Sequence, residues 1–326
     1  MQVIHSLIKR MQKQHILVLG DVMLDQFIYG HVNRISPEAP VPVVHVHREA
    51  AYPGGAANVA RNLSEFGISA TISGLIGNDA NGGTLQSVLS GSGISINGLH
   101  QIENFQTIVK TRIIARHQQV VRVDREQKHQ LNPDVIRTFD KSLEQLIASI
   151  DAVIIEDYGK GFIVQNLVER VLHHAKKHSK IVTVDPNPNN PLKWKGATLI
   201  KPNRNEALHC AGVPVDQPFI EWEQVGKTLR KKWQVDETLI TLGEEGLIYA
   251  NATDPVYHSA TKAKDVYDVS GAGDTVIAFF TAACAAGIAR TQAAELANHA
   301  AGVVVGKVGT ATVTPEELIE SFNSHE

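Results

Sequence analysis

Short runs of consecutive apolar residues alternate along the chain with stretches in which apolar residues recur at helical spacing. The first run, His15-Ile16-Leu17-Val18-Leu19-Gly20-Asp21, ends in a glycine and an acid. That is the pattern of a strand buried on both faces that delivers a polar residue at its carboxyl end. Ser69 to Gly77, Ala152 to Ile155, Ile181 to Val184, Thr198 to Ile200 and Glu237 to Thr241 read the same way. Between them the spacing predicts helices over Val59 to Phe66, Gly82 to Leu89, Val164 to His178 and Pro218 to Trp233. Another, from Asn132-Pro133-Asp134 to about Ile150, opens with a cap residue and a proline at the first helical position. Gly246 to Asn251 follows its strand closely enough to return as a hairpin. Strands alternating with helices predict an α/β fold around a mostly parallel sheet, and no repeat, low-complexity tract or linker divides residues 1–326 into more than one domain.

Two segments break this rhythm. From Phe27 to Tyr52, Val41, Val43, His45 and His47 alternate with Pro42, Val44, Val46 and Arg48, while Pro37, Pro40 and Pro42 forbid a helix. From about residue 105 to 125, Val109, Thr111, Ile113 and Ala115 alternate with Lys110, Arg112, Ile114 and Arg116. Together the segments, about 27–52 and 105–125, predict a small β sheet projecting from the main one as a lid able to exclude water from a site. Its basic residues, Lys110, Arg112, Arg116, Arg122 and Arg125, either form a solvated face or hold an anionic group of a ligand.

A formal charge of −3 over 326 residues gives no general electrostatic reason to bind nucleic acid or an anionic membrane. Cys210 and Cys284 lie far apart among apolar residues, which suits packed thiols in a reducing compartment. Met1 to His15 has no continuous apolar core or cleavage site, and the longest apolar stretch, Thr275 to Ala289, is short for a bilayer. A cytoplasmic location is expected.

The candidate chemistry centres on Asp268-Val269-Ser270-Gly271-Ala272-Gly273-Asp274-Thr275, followed at once by the apolar run Val276 to Ala286. Glycines let the backbone bend closely, and the start of a buried helix offers free amides and the positive end of its dipole to an anion such as a transferring phosphoryl group. Asp274 is a carboxylate among those amides. Two roles stand open for it: taking a proton from an attacking hydroxyl, or capping the helix. Gly54-Gly55 open a second helix, with Asn58 offering donor and acceptor in its first turn. Asp21 and Asp25 follow the first strand, and Glu156-Asp157-Tyr158-Gly159-Lys160-Gly161 follows another, at the rim where open α/β sheets bind ligands. Asn203 and Glu206 stand three apart after Lys201-Pro202, and a carboxylate there is able to orient water around magnesium. Asn298, inside an alanine-rich helix, needs a partner. His174 and His178 have metal-ligand spacing but sit among lysines, which predicts a solvated helix face; His45 and His47 show no third ligand.

Both glycine loops, the Asn203/Glu206 pair and the Asp268 to Asp274 stretch together resemble the ribokinase-like (PfkB) sugar kinase family over roughly residues 14 to 318. The resemblance implies a ribokinase-like three-layer α/β domain with a central mostly parallel sheet and a small β lid, binding ATP, Mg2+ and, if one is used, a monovalent cation such as K+. It implies Asp274 as base and Gly271, Ala272 and Gly273 as the anion hole. Asp25, Gly54, Gly55 and Asn58 would hold the sugar, with Asp157, Lys160, Arg112 and Arg122 assigned to the substrate by charge and rim position. Glu206 would serve magnesium through water, with Asn203 beside it at the phosphates. Lys201, Thr241, Gly243 and Gly246 would approach the nucleotide, Asn298 the adenine, and Asp268 the monovalent cation.

Within the family, Gly20 to Asp25, Arg34 to Val43, Asp157 to Gly161 and Gly302 to Lys307 look like the bacterial kinases of D-glycero-β-D-manno-heptose 7-phosphate. Those enzymes phosphorylate the anomeric hydroxyl on the route to ADP-heptose for lipopolysaccharide core. Many are fused to a nucleotidyltransferase; a chain ending at Glu326 resembles the stand-alone form. Met23 stands where the family more usually has asparagine, so ribose recognition does not transfer directly. The alternatives are a kinase of fructose, ribose or another small sugar, and a non-catalytic sugar-binding protein on a kinase scaffold. A hydride-transfer enzyme is disfavoured because no GxGxxG follows the first strand. Family habit implies a homodimer through the lid.

Overall fold

Each apolar run becomes a strand of one large sheet. The structure, a computed structural model, describes residues 2–116, 118–127 and 133–324. The first half comprises α1 (Gln2–Met11), β1 (His15–Gly20), β2 (Val22–Ile35), β3 (Pro42–Gly55), α2 (Ala56–Glu65), β4 (Ser69–Gly77), α3 (Ala80–Gly91), β5 (Ser95–Ile102), β6 (Val109–Ala115) and β7 (Gln118–Arg125). Next come α4 (Pro133–Ser149), β8 (Ala152–Glu156), α5 (Gln165–Lys177), β9 (Ile181–Asp185), β10 (Leu199–Ile200), α6 (Arg204–Ala211), α7 (Trp222–Trp233) and β11 (Glu237–Thr241). The chain closes with β12 (Leu247–Ala250), β13 (Tyr257–Ser259), α8 (Ala272–Ala285), α9 (Arg290–Val305) and α10 (Pro315–Asn323).

The large sheet has the order β13-β12-β11-β10-β9-β8-β1-β4-β5 and is parallel except where β12 runs against both neighbours. Alternation along β1 sets its two faces. Ile16 and Val18 pack with α1, α2, α8 and α9, whereas Leu17 and Leu19 pack with α4, α5, α6 and α7. Both faces are therefore covered, as a parallel sheet requires. Every residue of α8 from Thr275 to Cys284 is buried, and Phe279 meets Phe66 edge-on with ring centroids 4.6 Å apart. Each such aromatic contributes about 1.5–3 kcal/mol by leaving water.

The smaller sheet, β3-β2-β6-β7, starts at Val22, five residues earlier than its alternating pattern suggests, and runs to Gly55. Gly54 and Gly55 thus end a strand, and α2 begins immediately, placing Asn58 in its first turn. Three other expectations are corrected. The amphipathic helix expected from Pro218 starts at Trp222. The expected Asn132 cap lies outside the described residues. His174 is buried rather than solvated, with its ring 3.2 Å from Asp140 of α4. Among the described residues no helix is long and apolar enough to cross a membrane.

Candidate active site

Two helices that open on left-handed glycines face each other. Gly55 (φ 58°) precedes α2 and Gly271 (φ 81°) precedes α8, and neither helix has a side-chain cap. Asp274 lies in the first turn of α8, so it does not cap the helix. Its Oδ2 accepts from Asn58 Nδ2 at 2.7 Å, and its Oδ1 accepts from the Tyr158 hydroxyl at 3.0 Å. Burial pushes the carboxyl up to about 6 against the pull of Asn58, Lys201 and Tyr158. A group so placed is ionised at neutral pH yet basic enough to accept a proton. The two helices are also stitched behind the site: Thr275 Oγ1 donates to Asn62 Oδ1 at 2.9 Å, and Asn62 Nδ2 donates to the Asn58 carbonyl at 2.9 Å. Asn58 Oδ1 is buried with no partner, an acceptor that a ligand hydroxyl would satisfy.

The strand ends deliver the charges. Glu156, Asp185 and Asp274 bring one carboxylate oxygen each within 4.8 Å of one another. Burial first, then Asp185 and Asp274, hold Glu156 well above the usual carboxylate range. Lys201, from the end of β10, offsets the cluster: its ammonium is buried and 2.8 Å from Asp185. A Cβ placed on Gly273 would lie 3.3 Å from Lys201 Nζ. The ammonium therefore sits beside the amides of Gly271, Ala272 and Gly273, a joint cradle for a phosphoryl group.

Asn203 caps α6 and Glu206 closes a capping box with it, Glu206 Oε2 accepting from Asn203 N at 2.8 Å. An isolated parallel bridge sets Asn203 beside Thr241, at whose strand end Gly243 (φ 64°) and Gly246 (φ 90°) shape the next turn. The charges of Asp185 and Lys201 both reach Glu206. A site of one or two carboxylates with the rest left to water and phosphate is the donor set magnesium takes, so Glu206 with Asp185 fits a hydrated divalent cation. Asp268 behaves as a tie between loops, accepting from Ser270 N at 2.9 Å and Gly309 N at 3.2 Å. Asn298 finds its partners inward: Nδ2 donates to Ser259 Oγ at 2.8 Å and to the Ala260 carbonyl at 2.7 Å. A cavity of about 310 Å³ is lined by Lys262, Gly302, Gly306 and Lys307.

On the opposite side, Asp25 is buried and paired with Arg112, and a Cβ on Gly54 would fall 2.8 Å from Asp25 Cγ. Strand pairing places Asp25, Lys110, Arg112, Arg122 and Asp124 on one face of the small sheet. The cations assigned to the substrate from the sequence each have an acid: Arg112 has Asp25, Arg122 has Asp124 at 2.9 Å, and Lys160 has Glu126 at 2.7 Å. Asp157, also assigned to the substrate, is buried, and Asn190 Nδ2 and Gly159 N donate to it at 2.9 and 2.8 Å. It braces the loop, and burial pushes it up to about 7. Sequence reasoning missed Tyr158 and Asn62. Only Asn62 carried a signal, a second polar residue four positions after Asn58 on an apolar helix.

Residues 13–317 match the family described as pfkB family carbohydrate kinase. The bifunctional protein HldE of Trichlorobacter lovleyi is 40% identical over 322 residues, covering 99% of this chain, and that of Geobacter sulfurreducens is 40% identical over 308 residues, covering 94%. The chain spans 65% and 62% of the length of these two relatives. Among solved structures, Arabidopsis thaliana ribokinase complexed with ribose and ATP matches with a TM-score of 0.72 at 17% identity, covering 94% of this chain and 98% of that one. Escherichia coli phosphofructokinase-2 in complex with potassium matches with a TM-score of 0.75 at 18% identity, covering 95% and 98%. These two likenesses establish the ribokinase-like fold.

Proposed function

The chain belongs to the pfkB family of carbohydrate kinases, and from that premise we propose that it transfers the γ-phosphoryl group of ATP to the anomeric hydroxyl of D-glycero-β-D-manno-heptose 7-phosphate. The product would be the 1,7-bisphosphate on the route to ADP-heptose and lipopolysaccharide core. The observation that carries the phosphotransfer is Asp274, held by Asn58 and Tyr158 in the first turn of α8 with Lys201 beside that helix start.

In this reading the acceptor sugar lies between Asp25, Gly54, Gly55, Asn58 and Asp274. Its hydroxyl proton passes to an Asp274 oxygen as the oxygen attacks phosphorus, and ADP leaves. The amides of Gly271 to Gly273 and the Lys201 ammonium meet the charge on the transferring group. Glu206 and Asp185 would hold the water shell of a divalent cation, which supplies further charge neutralisation on the phosphates. Thr241, Gly243 and Gly246 face the nucleotide, Asn298 supports the adenine side, and Asp268 lies near a monovalent cation if one is used.

Support for the heptose phosphate comes from the segments Gly20 to Asp25, Arg34 to Val43 and Asp157 to Gly161, together with relatives 40% identical over nearly the whole chain. The cationic face of the small sheet, with Lys160 opposite, suits the 7-phosphate. The carboxylates that neutralise those cations favour a second reading, an uncharged small sugar as acceptor. ATP consumption with the heptose 7-phosphate, fructose and ribose separates them: turnover of a plain sugar alone would discard the heptose. A homodimer through the lid is part of the proposal, supported by exposed Val46, Val121 and Val123 on the small sheet. Light scattering that finds only monomer would remove it. The cytoplasm, with ATP and reduced Cys210 and Cys284, is the compartment proposed.

A further inference from the structure

The loop after β8 is fixed by two buried carboxylates. Asp21 Oδ2 accepts from Tyr158 N at 3.1 Å and Lys160 N at 3.0 Å, and its Oδ1 accepts from Phe162 N at 3.1 Å. Asp157 accepts from Gly159 N at 2.8 Å and ties the same loop to Asn190. Alternate backbone amides of residues 158, 160 and 162 thus converge on one side chain. The backbone at residue 158 is held from both sides, and a tyrosine has only two side-chain torsions left to set. Its hydroxyl ends 3.0 Å from Asp274 Oδ1.

We propose that Tyr158 is a positioning residue for Asp274, fixing the plane of that carboxylate against the amide of Asn58 so that its remaining lone pairs face the acceptor hydroxyl. Each carboxylate oxygen accepts two hydrogen bonds; Asn58 takes one position on Oδ2 and Tyr158 one on Oδ1. The two donors come from different elements, α2 and the β8 loop, so they resist rotation of the carboxylate in both senses. Burial and the negative charge of Asp274 hold the phenol well above its ordinary range. Tyr158 therefore keeps its proton throughout, and the acceptor's proton goes to Asp274 alone. The charged and titratable groups facing Asp274 from the other elements are Glu156 of β8, Asp185 of β9 and Lys201 beyond β10.

The inference rests on Asp274 being the base, and two variants keep the two ideas apart. Tyr158→Phe, assayed with the acceptor that the wild type turns over, is expected to lower kcat about tenfold with the KM for ATP within about twofold. The acid limb of its kcat/KM profile should move up by about one pH unit, because the carboxylate loses a donor. In an Asp274→Asn background the same change should leave the residual rate within about twofold, since the group it positions is gone. A Tyr158→Phe enzyme with wild-type kcat and an unmoved acid limb, beside an inactive Asp274→Asn, overturns the role of Tyr158 alone. Full activity of Asp274→Asn overturns the base assignment and this inference with it. A Tyr158→Phe protein that loses thermal stability and kcat while its acid limb stays put shows a packing role and also overturns it.

Discussion

The starts of α2 and α8 look alike and are built for different ends. Both helices open on a left-handed glycine, both lack a side-chain cap, and they meet through Asn58 and Asp274 at 2.7 Å. Around Gly54 and Gly55 there is no room. A Cβ on Gly54 would lie 2.8 Å from Asp25 Cγ, and one on Gly55 would lie 2.6 Å from the Asp21 carbonyl and 2.7 Å from Met23 Cε. Around Gly271 and Gly273 the nearest atoms are the ends of two polar side chains, Asn58 Nδ2 at 3.0 Å and Lys201 Nζ at 3.3 Å. The first pair of glycines lets the small sheet dock on the large one; the second has room beside it. Similar glycine motifs thus differ in how closely the rest of the molecule crowds them.

The sharpest way to break that contrast is Asp274→Asn, which removes the carboxylate in the first turn of α8, where the first turn of α2 has none. The kcat should fall by at least ~10²-fold, read from ATP consumption. Stability should move the other way. The folded carboxyl is raised to about 6 from its ordinary 3.8, so the native state binds the proton more tightly than the unfolded chain. Native stability from this group is therefore present at low pH and lost as pH rises from about 4 to about 6. Asparagine escapes that loss. Urea unfolding should show the variant gaining on the wild type across this window, by about 3 kcal/mol at pH 7, and a difference independent of pH would contradict the raised carboxyl.

A pair of alanines sharpens the same contrast. Gly54→Ala should lower stability by about 1–3 kcal/mol or more, because backbone and a buried ion pair must move to admit the methyl group. Gly273→Ala meets a single side-chain atom, Lys201 Nζ at 3.3 Å, so its unfolding midpoint should fall less than that of Gly54→Ala while activity falls as the methyl crowds the Lys201 ammonium. Equal stability losses in the two variants would mean that the glycines serve one purpose.

Much of this arrangement was legible in the chain. Consecutive apolar runs with an acid at the end are hard to satisfy outside a doubly covered sheet, and β4 and β11 occupy the residues that their runs predict. The glycine loops, Asn58, Lys201 and Asp274 converge in space as their motifs suggest. Partners across long sequence separations were not legible. Arg112 finds Asp25 only through the parallel register of β2 and β6, and Lys160 finds Glu126 only because the β8 loop lies under the end of β7. No local pattern encodes such a pairing, so the cations looked available when each has an acid beside it. Tyr158 was hidden for the same reason: a tyrosine in a glycine-rich loop has no periodicity, and its role depends on three amides folding around Asp21.

The mildest test concerns the tie that keeps the two helix starts in register. Thr275 Oγ1 donates to Asn62 Oδ1 at 2.9 Å, and both residues are fully buried. Thr275→Val preserves shape but strands the asparagine oxygen, and an unsatisfied buried acceptor costs about 1–3 kcal/mol. A lower unfolding midpoint is expected, with kcat reduced less than about threefold, since Asn58 and Asp274 still meet directly. Adding Asn62→Leu removes the stranded polar group and should recover part of the stability, because an apolar pair of similar shape is nearly neutral. If Thr275→Val alone leaves the midpoint unchanged, the bond is not what holds α2 against α8, and their spacing must come from the shared apolar core, where Phe66, just past the end of α2, meets Phe279 of α8.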